Sequence, residues 1–323
     1  GKKINNKNLL NFIKSLCKIL KKKDLIILRG TMGIGATRQV EKLIKKIKKF
    51  KAGEDYFLSY SPERIIEGDA MQELKTIPQI VSGCTDKCLE EASSFWKIFI
   101  KEIVETENFY EAEIIKLINN SYRLYSFSFS NLVSLLSEKY NINSNKLLEK
   151  ANYGYPRNKL NMPSVGIGGF CLLKDFNILG QSSSNDIIIN SSRIINKINS
   201  KIIESPLRAI KNFEKKIKKK IKSILIIGVA FKGEPQTNDC RNSPGIRLAE
   251  RLIKKKYKVY LYDNVAKNID IDFNSIKKSI FLKKINNNIT NMIDGIVVMN
   301  NNSLNKILIS KTLKKNVSPK IFF

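Results

Sequence analysis

Ser223-Ile224-Leu225-Ile226-Ile227-Gly228 is an apolar run that stops at a glycine, and Lys258-Val259-Tyr260-Leu261-Tyr262-Asp263 is a second run that ends in an acid. Short β-branched runs of this kind read as buried strands. Between them, Ser243-Pro244 reads as a helix start. The serine hydroxyl can accept from the first unpaired N–H groups, and proline is tolerated at the first helical position because it lacks the N–H that would be orphaned there. Strand, helix and strand with a terminal acid make half of a Rossmann-like unit. Asp294 to Met299 reads as a third strand, so this end of the chain is α/β.

Outward from that stretch, the N-terminal third shows the same alternation. Leu9 to Leu20 has helical spacing of apolar residues. Leu25 to Leu28 reads as a buried strand that runs into the glycine-rich loop Arg29-Gly30-Thr31-Met32-Gly33-Ile34-Gly35, and an amphipathic helix follows to about Lys49. Tyr56 to Tyr60 and Ile80 to Ser82 read as strands, and Asp86 to Ile100 as a helix. The middle differs. Ile114, Leu117, Ile118, Tyr122, Tyr125, Phe129, Leu132 and Leu136 recur at helical spacing with no breaker, which predicts one long helix from Tyr110 to Lys139. A shorter helix is predicted from Ser144 to Ala151 with Ser144 as its N-cap, then a loop from Asn152 to Cys171, then helix from about Asp186 to Lys216 interrupted at Pro206. The expected architecture is α/β: two Rossmann-like domains, the first incomplete, joined by an all-helical central domain. The boundaries fall at residues 1–108, 109–216 and 217–323.

The 323 residues carry a formal net charge of +29, which raises the question of nucleic-acid binding. The excess is mostly lysine and travels with many Ile and Asn residues, all encoded by A/T-rich codons, so it reads as a lysine-rich surface rather than a nucleic-acid interface. The chain has no histidine, which excludes Ser-His-Asp triads and His-containing metal sites. Five scattered cysteines fit a reducing, cytoplasmic setting better than a disulfide scaffold, and no metal site is expected. No apolar run is long enough to span a bilayer, so no membrane partner is expected.

Four segments carry chemistry. The first is Ser61-Pro62-Glu63-Arg64-Ile65-Ile66-Glu67, whose two carboxylates four apart can share a helix face. The second, on the long helix, is Glu113-Ile114-Ile115-Lys116-Leu117-Ile118-Asn119-Asn120. Its Lys116 and Asn120 point the same way and suit a developing oxyanion. The third, Val165-Gly166-Ile167-Gly168-Gly169-Phe170-Cys171-Leu172-Leu173-Lys174-Asp175, sets a thiol after glycines that let the backbone pack tightly around it. The fourth runs Gly228-Val229-Ala230-Phe231-Lys232-Gly233, then Asp239-Cys240-Arg241. A glycine turn ending in cations fits a phosphate-bearing ligand.

Together, in this order and at these separations, the segments resemble the UDP-glucose/GDP-mannose dehydrogenase family over nearly the whole chain. The resemblance implies an NAD-dependent, four-electron oxidation of the C6 alcohol of a UDP-sugar to the uronic acid. It makes Cys171 the nucleophile that forms a thiohemiacetal and then a thioester, and Glu63 the general acid/base. Lys116 and Asn120 would stabilise the C6 oxygen, and Asp175 would orient water and the neighbouring cation. Thr31, Glu67, Lys174 and Arg241 match cofactor-side positions; Phe231 and Lys232 match the sugar-nucleotide side, and Arg157 matches an arginine that reaches across a dimer. A homodimer through the central helices and a place in polysaccharide biosynthesis are further implications. Ser-Pro-Glu-Arg resembles the branch acting on UDP-N-acetylhexosamines, such as UDP-N-acetylmannosamine; the alternatives are a UDP-glucose 6-dehydrogenase and, in another class, a truncated, non-catalytic UDP-sugar-binding relic. The family's opening strand and Gly-x-Gly-x-x-Gly cradle have no counterpart before Leu25. The strand Leu25–Leu28 is therefore expected to lack its parallel neighbours and expose an edge, and the 323 residues alone are expected to turn over weakly or not at all.

Overall fold

The structure, a computed structural model, describes residues 6–66, 69–183, 186–267, 276–286, 289, 291–300, 302–303 and 320–322. In chain order the elements are α1 (Lys7–Leu16), β1 (Leu25–Leu28), α2 (Ala36–Lys48), β2 (Phe57–Tyr60), α3 (Ala70–Thr76), β3 (Gln79–Gly83), α4 (Asp86–Lys97) and β4 (Ile103–Glu105). Then come α5 (Phe109–Lys139), α6 (Ser144–Asn152), α7 (Cys171–Ser183), α8 (Asp186–Ile203) and α9 (Ser205–Ile217). The chain closes with β5 (Ser223–Ile227), α10 (Pro244–Lys254), β6 (Lys258–Tyr262), β7 (Ile280–Phe281), β8 (Gly295–Val298) and β9 (Lys320–Phe322). They form two compact units: residues 1–122 with 171–192, and residues 123–170 with 193–323.

The first unit is built on a sheet of order β1-β2-β3-β4. β1 pairs in parallel with β2, from Leu25 opposite Phe57 to Leu28 opposite Tyr60. The expectation that this strand lacks parallel neighbours is thus corrected on one side; on the other, β1 is the sheet's edge among the described residues. β2 and β3 run antiparallel, and β3 and β4 parallel. One face packs Ile13, Val40, Ile44, Tyr56, Leu58 and Tyr60 into a core, and the other packs Val81 against Ala92, Trp96 and Ile100.

The second unit holds a parallel sheet of order β7-β6-β5-β8-β9. β5 is its fully buried centre, as its unbroken apolar run demands. The predicted cap of α10 forms: Ser243 Oγ accepts from the N–H groups of Gly245 (3.1 Å) and Ile246 (3.5 Å), with Pro244 in the first turn. Leu248, Ala249 and Leu252 then turn inward.

Two expectations change. The N-cap of α6 is Asn143, whose side chain accepts from Lys146 N at 3.0 Å, so Ser144 is the first helical residue. Helix also begins at Cys171, fifteen residues earlier than expected, because the apolar pairs after Cys171 already carry helical spacing. The apolar stripe of α5, apart from the fully buried Leu117, points outward: Ile114 is 36% exposed, Tyr122 76%, Phe129 52% and Leu136 56%. The buried face is instead rich in serine, with Ser121, Ser128 and Ser137 returning their hydroxyls to carbonyls one turn back. Among the described residues no helix is long and apolar enough to cross a membrane.

Candidate active site

Within the first unit, α5 and α7 bring together residues far apart in sequence. Asp175, one turn into α7, is fully buried, and its Oδ2 accepts from Asn120 Nδ2 at 2.5 Å. Its Oδ1 lies 3.3 Å from Lys174 Nζ and accepts no hydrogen bond. Lys116 sits one turn before Asn120, and burial pushes its ammonium below the usual lysine value. The Asp175 carboxylate opposes that shift most strongly, and Cys171, Lys174 and Glu63 act on the same ammonium. Lys116, Asn120, Cys171, Lys174, Asp175 and Glu63 therefore belong to one electrostatic neighbourhood. Cys171 opens α7 and is exposed, whereas Cys17, Cys88 and Cys240 are buried. A cysteine kept only for packing is normally inside.

Glu63 lies on an irregular segment rather than on a helix. Pro62 supplies no N–H, and the segment is anchored from outside: Glu63 N donates to the Arg29 carbonyl (3.1 Å) and Arg64 to the Pro78 carbonyl. The Glu63 carboxylate pairs with Arg29 and accepts from Ile65 N at 3.0 Å. The Arg29 guanidinium stacks 4.8 Å from the centre of the Trp96 ring. Glu67 lies outside the described residues.

Thr31 follows β1 on a loop held at several points. Tyr60 Oη donates to the Gly30 carbonyl (3.3 Å), and Ile34 N donates to Ser182 Oγ of α7 (3.2 Å). Gly35, at φ +87° and without a side chain to cap α2, donates its N–H to Glu113 Oε2 of α5 (2.6 Å). Glu113 Oε1 accepts from Thr37 N (2.9 Å) and Thr37 Oγ1 (2.7 Å). Burial pushes the Glu113 carboxyl up, and these donors pull it back. Sequence reading assigned no role to Glu113; its signal is an acid one turn before Lys116 on a helix side where its neighbours are apolar.

The sugar-nucleotide candidates stand in the second unit. The turn after β5 is closed by Asp263, whose Oδ2 accepts from Val229 N (2.7 Å) and Ala230 N (2.9 Å). Gly228, at φ +90°, has Asn300 where a Cβ would stand, 2.6 Å away. Phe231 and Lys232 follow, with the ammonium 5.6 Å from the ring centre. Arg241 makes a two-point ion pair with Asp239, at 2.9 and 2.7 Å. Burial alone would raise the Asp239 carboxyl; Arg241 outweighs it and holds it below the ordinary value. Gly168 and Gly169 pack on Phe231, with added Cβ atoms at 2.9 Å from that ring or its Cβ. Glycine at 168 and 169 therefore leaves room for the Phe231 side chain. Gly169 N donates to the Arg241 carbonyl (3.1 Å), which fixes the strap that leads into Cys171. Arg157, exposed on the same loop, donates from Nε to Tyr155 Oη (2.9 Å) and stacks on that ring.

Three family models match the chain in sequence order. The NAD-binding domain of the UDP-glucose/GDP-mannose dehydrogenase family matches residues 2–100, the central domain 110–201 and the UDP-binding domain 225–323. UDP-N-acetyl-D-mannosamine dehydrogenase of Campylobacter jejuni is 33% identical over 252 residues, 74% of this chain and 59% of that protein. The enzyme of the same name from Pyrococcus horikoshii is 29% identical over 255 residues, 78% of this chain and 59% of that protein. The chain therefore spans well under two thirds of these relatives. The solved structure of the P. horikoshii dehydrogenase superposes with a TM-score of 0.81 at 25% identity, covering 95% of this chain and 71% of that one. An NDP-N-acetyl-D-galactosaminuronic acid dehydrogenase from Methanosarcina mazei superposes with a TM-score of 0.82 at 20% identity, covering 98% and 68%, a likeness of fold. With its Cys171 and Lys116 segments inside the matched central domain and its Phe231 turn inside the matched UDP-binding domain, the chain belongs to the UDP-glucose/GDP-mannose dehydrogenase family.

Proposed function

We propose that the protein oxidises the C6 alcohol of a UDP-N-acetylhexosamine to the uronic acid with NAD, through a thioester on Cys171. The observation that carries this reading is the Asn120–Asp175–Lys174 constellation beside Lys116, with an exposed thiol at the head of the helix that bears Asp175. The names of the relatives favour the N-acetyl sugar. UDP-glucose is the alternative.

The residues of the first unit suit the reactive end of NAD. Thr31 follows the carboxyl end of a parallel strand, where α/β sheets take their ligands, and Lys174 adds a cation one turn from the thiol. The first amides of α2 are already engaged by Glu113, so their donors serve the fold. Arg241 and Glu67 complete the proposed cofactor set; Phe231, Lys232 and Arg157 are assigned to the sugar nucleotide. Bound NAD supplies the hydride acceptor for both oxidations.

The remaining chemistry belongs to the chain. Lys116 and Asn120 hold the C6 oxygen; as the alcohol gives up its hydride and passes its proton to solvent water, the charge developing on that oxygen is carried by their N–H donors. The Cys171 sulfur adds to the C6 aldehyde, and the carbonyl oxygen takes up a proton to give a thiohemiacetal. Loss of a second hydride and that proton leaves a thioester. Water held by Asp175 then attacks the carbonyl carbon; Glu63 takes the water proton, the C–S bond breaks, and the sulfur recovers a proton as the acid leaves. Capturing the aldehyde on sulfur keeps it from escaping between the two oxidations.

The division into domains at residues 1–108, 109–216 and 217–323 is part of this reading. So is a homodimer, supported by the outward stripe of Tyr122, Phe129 and Leu136 on α5, a large apolar surface for a chain that leaves it uncovered. Five free cysteines support a reducing, cytoplasmic setting, and the uronic acid would feed polysaccharide biosynthesis. The test is NADH formation by the protein expressed from its complete gene, offered UDP-N-acetylmannosamine, UDP-glucose or UDP alone. Turnover with the N-acetyl sugar is the expected result. Preference for UDP-glucose would transfer the assignment to the alternative. UDP binding without turnover of either sugar would make the protein a binding relic.

A further inference from the structure

We propose that Glu113 is a positioning residue that locks the Thr31 loop to the helix carrying Lys116 and Asn120, so that the cofactor side and the oxyanion side of the site keep one geometry. This rests on the functional reading above. Glu113 is fully buried, and its two oxygens receive Gly35 N, Thr37 N and Thr37 Oγ1 at 2.6, 2.9 and 2.7 Å. Among the described residues no Lys or Arg pairs with it.

A buried carboxylate without a cation is a costly way to cap a helix. A serine or asparagine at the cap position would satisfy the same amides locally. The chain places a glycine there and brings the acceptor from a helix 78 residues away. What this arrangement gains over a local cap is a fixed link between two elements. The link joins the turn of α5 immediately before Lys116 to the loop immediately after Thr31. Ser182 makes a parallel link from α7, the helix of Cys171 and Asp175, by accepting from Ile34 N at 3.2 Å. Three donors converge on Glu113, so only an all-acceptor side chain satisfies them. Glutamine would turn its NH₂ toward an N–H and lose at least one bond.

The experiment is calorimetric titration of the protein from its complete gene with NAD, and separately with UDP, in wild type, Glu113→Gln and Thr37→Val. Loss of one charge-assisted bond is expected to weaken NAD binding about tenfold in Glu113→Gln, with UDP affinity unchanged. Thr37→Val, which keeps the backbone donors, is expected to weaken NAD binding about threefold and carries the test if Glu113→Gln does not fold. Amide exchange at residues 30–37 should rise in step. Unchanged NAD affinity in a folded Glu113→Gln, or in Thr37→Val when that variant carries the test, would overturn the proposal and leave the functional reading intact. Equal weakening of NAD and UDP would reduce Glu113 to a general stabiliser and overturn it too. Failure of the wild type to bind NAD would contradict the functional reading, and this proposal with it.

Discussion

The two units hold their candidate functional side chains in different ways. In the first, Asn120 meets Asp175 across 55 positions and Gly35 meets Glu113 across 78, so the geometry exists only when the fold is complete. In the second, Arg241 is held by Asp239 two residues away, and Lys232 lies over its neighbour Phe231. Long-range placement by buried carboxylates suits chemistry, where reacting atoms must be held to fractions of an ångström. Local, exposed pairing suits recognition of a charged ligand, where an arginine can exchange one anionic partner for another. The expectation is that changes at Cys171 and Asp175 act on kcat and changes in the Arg241 turn act on KM.

Cys171→Ala sets the upper end of that contrast. Acid formation should fall by a factor on the order of 10⁴ or more, as loss of a nucleophile does. Product analysis by mass spectrometry checks it, and unchanged uronate yield would remove the thioester from the mechanism. Next is Asp175→Asn, expected to lower kcat roughly 10²-fold with little change in KM for the sugar. It also carries a pH signature. Burial already depresses the Lys116 ammonium and the Asp175 carboxylate partly restores it, so neutralising Asp175 should depress it further. If Lys116 must be protonated to hold the C6 oxygen, the alkaline limb of the kcat–pH profile moves to lower pH in Asp175→Asn; a limb that stays in place or moves up would break the link between the two residues.

Arg241→Ala should raise a KM about tenfold while kcat stays within about twofold, and an effect confined to kcat would erase the distinction between the units. The smallest catalytic effect is expected from Phe129→Glu on the outward stripe of α5. Sedimentation should show a lighter species, with kcat per chain nearly unchanged; an unaltered mass would remove the stripe as the dimer surface.

The same contrast explains what could be read from sequence. Local signals carried through: the Ser243-Pro244 cap, the buried run of β5 and the breaker-free length of α5 each depend on neighbours along the chain. The i, i+4 spacing of Lys116 and Asn120 likewise put both near Asp175. Periodicity revealed the α5 stripe but not its direction, because Tyr122 and Phe129 look the same to a pattern whether a core or solvent faces them. The placement of Glu63 could not be read from its neighbours, because its segment is tied to Arg29 and Pro78, which are remote in sequence. Glu113 gave only a weak signal for the same reason: an acid on a helix reads as solvated until the amides it accepts from are placed around it.

The most direct test of the Cys171 thioester is intact-protein mass spectrometry after rapid acid quench of the protein with NAD and UDP-N-acetylmannosamine. The expected result is a uronyl adduct on the peptide carrying Cys171, released by hydroxylamine and absent in Cys171→Ala. Uronate formation with no adduct, at equal yield in Cys171→Ala, would contradict it.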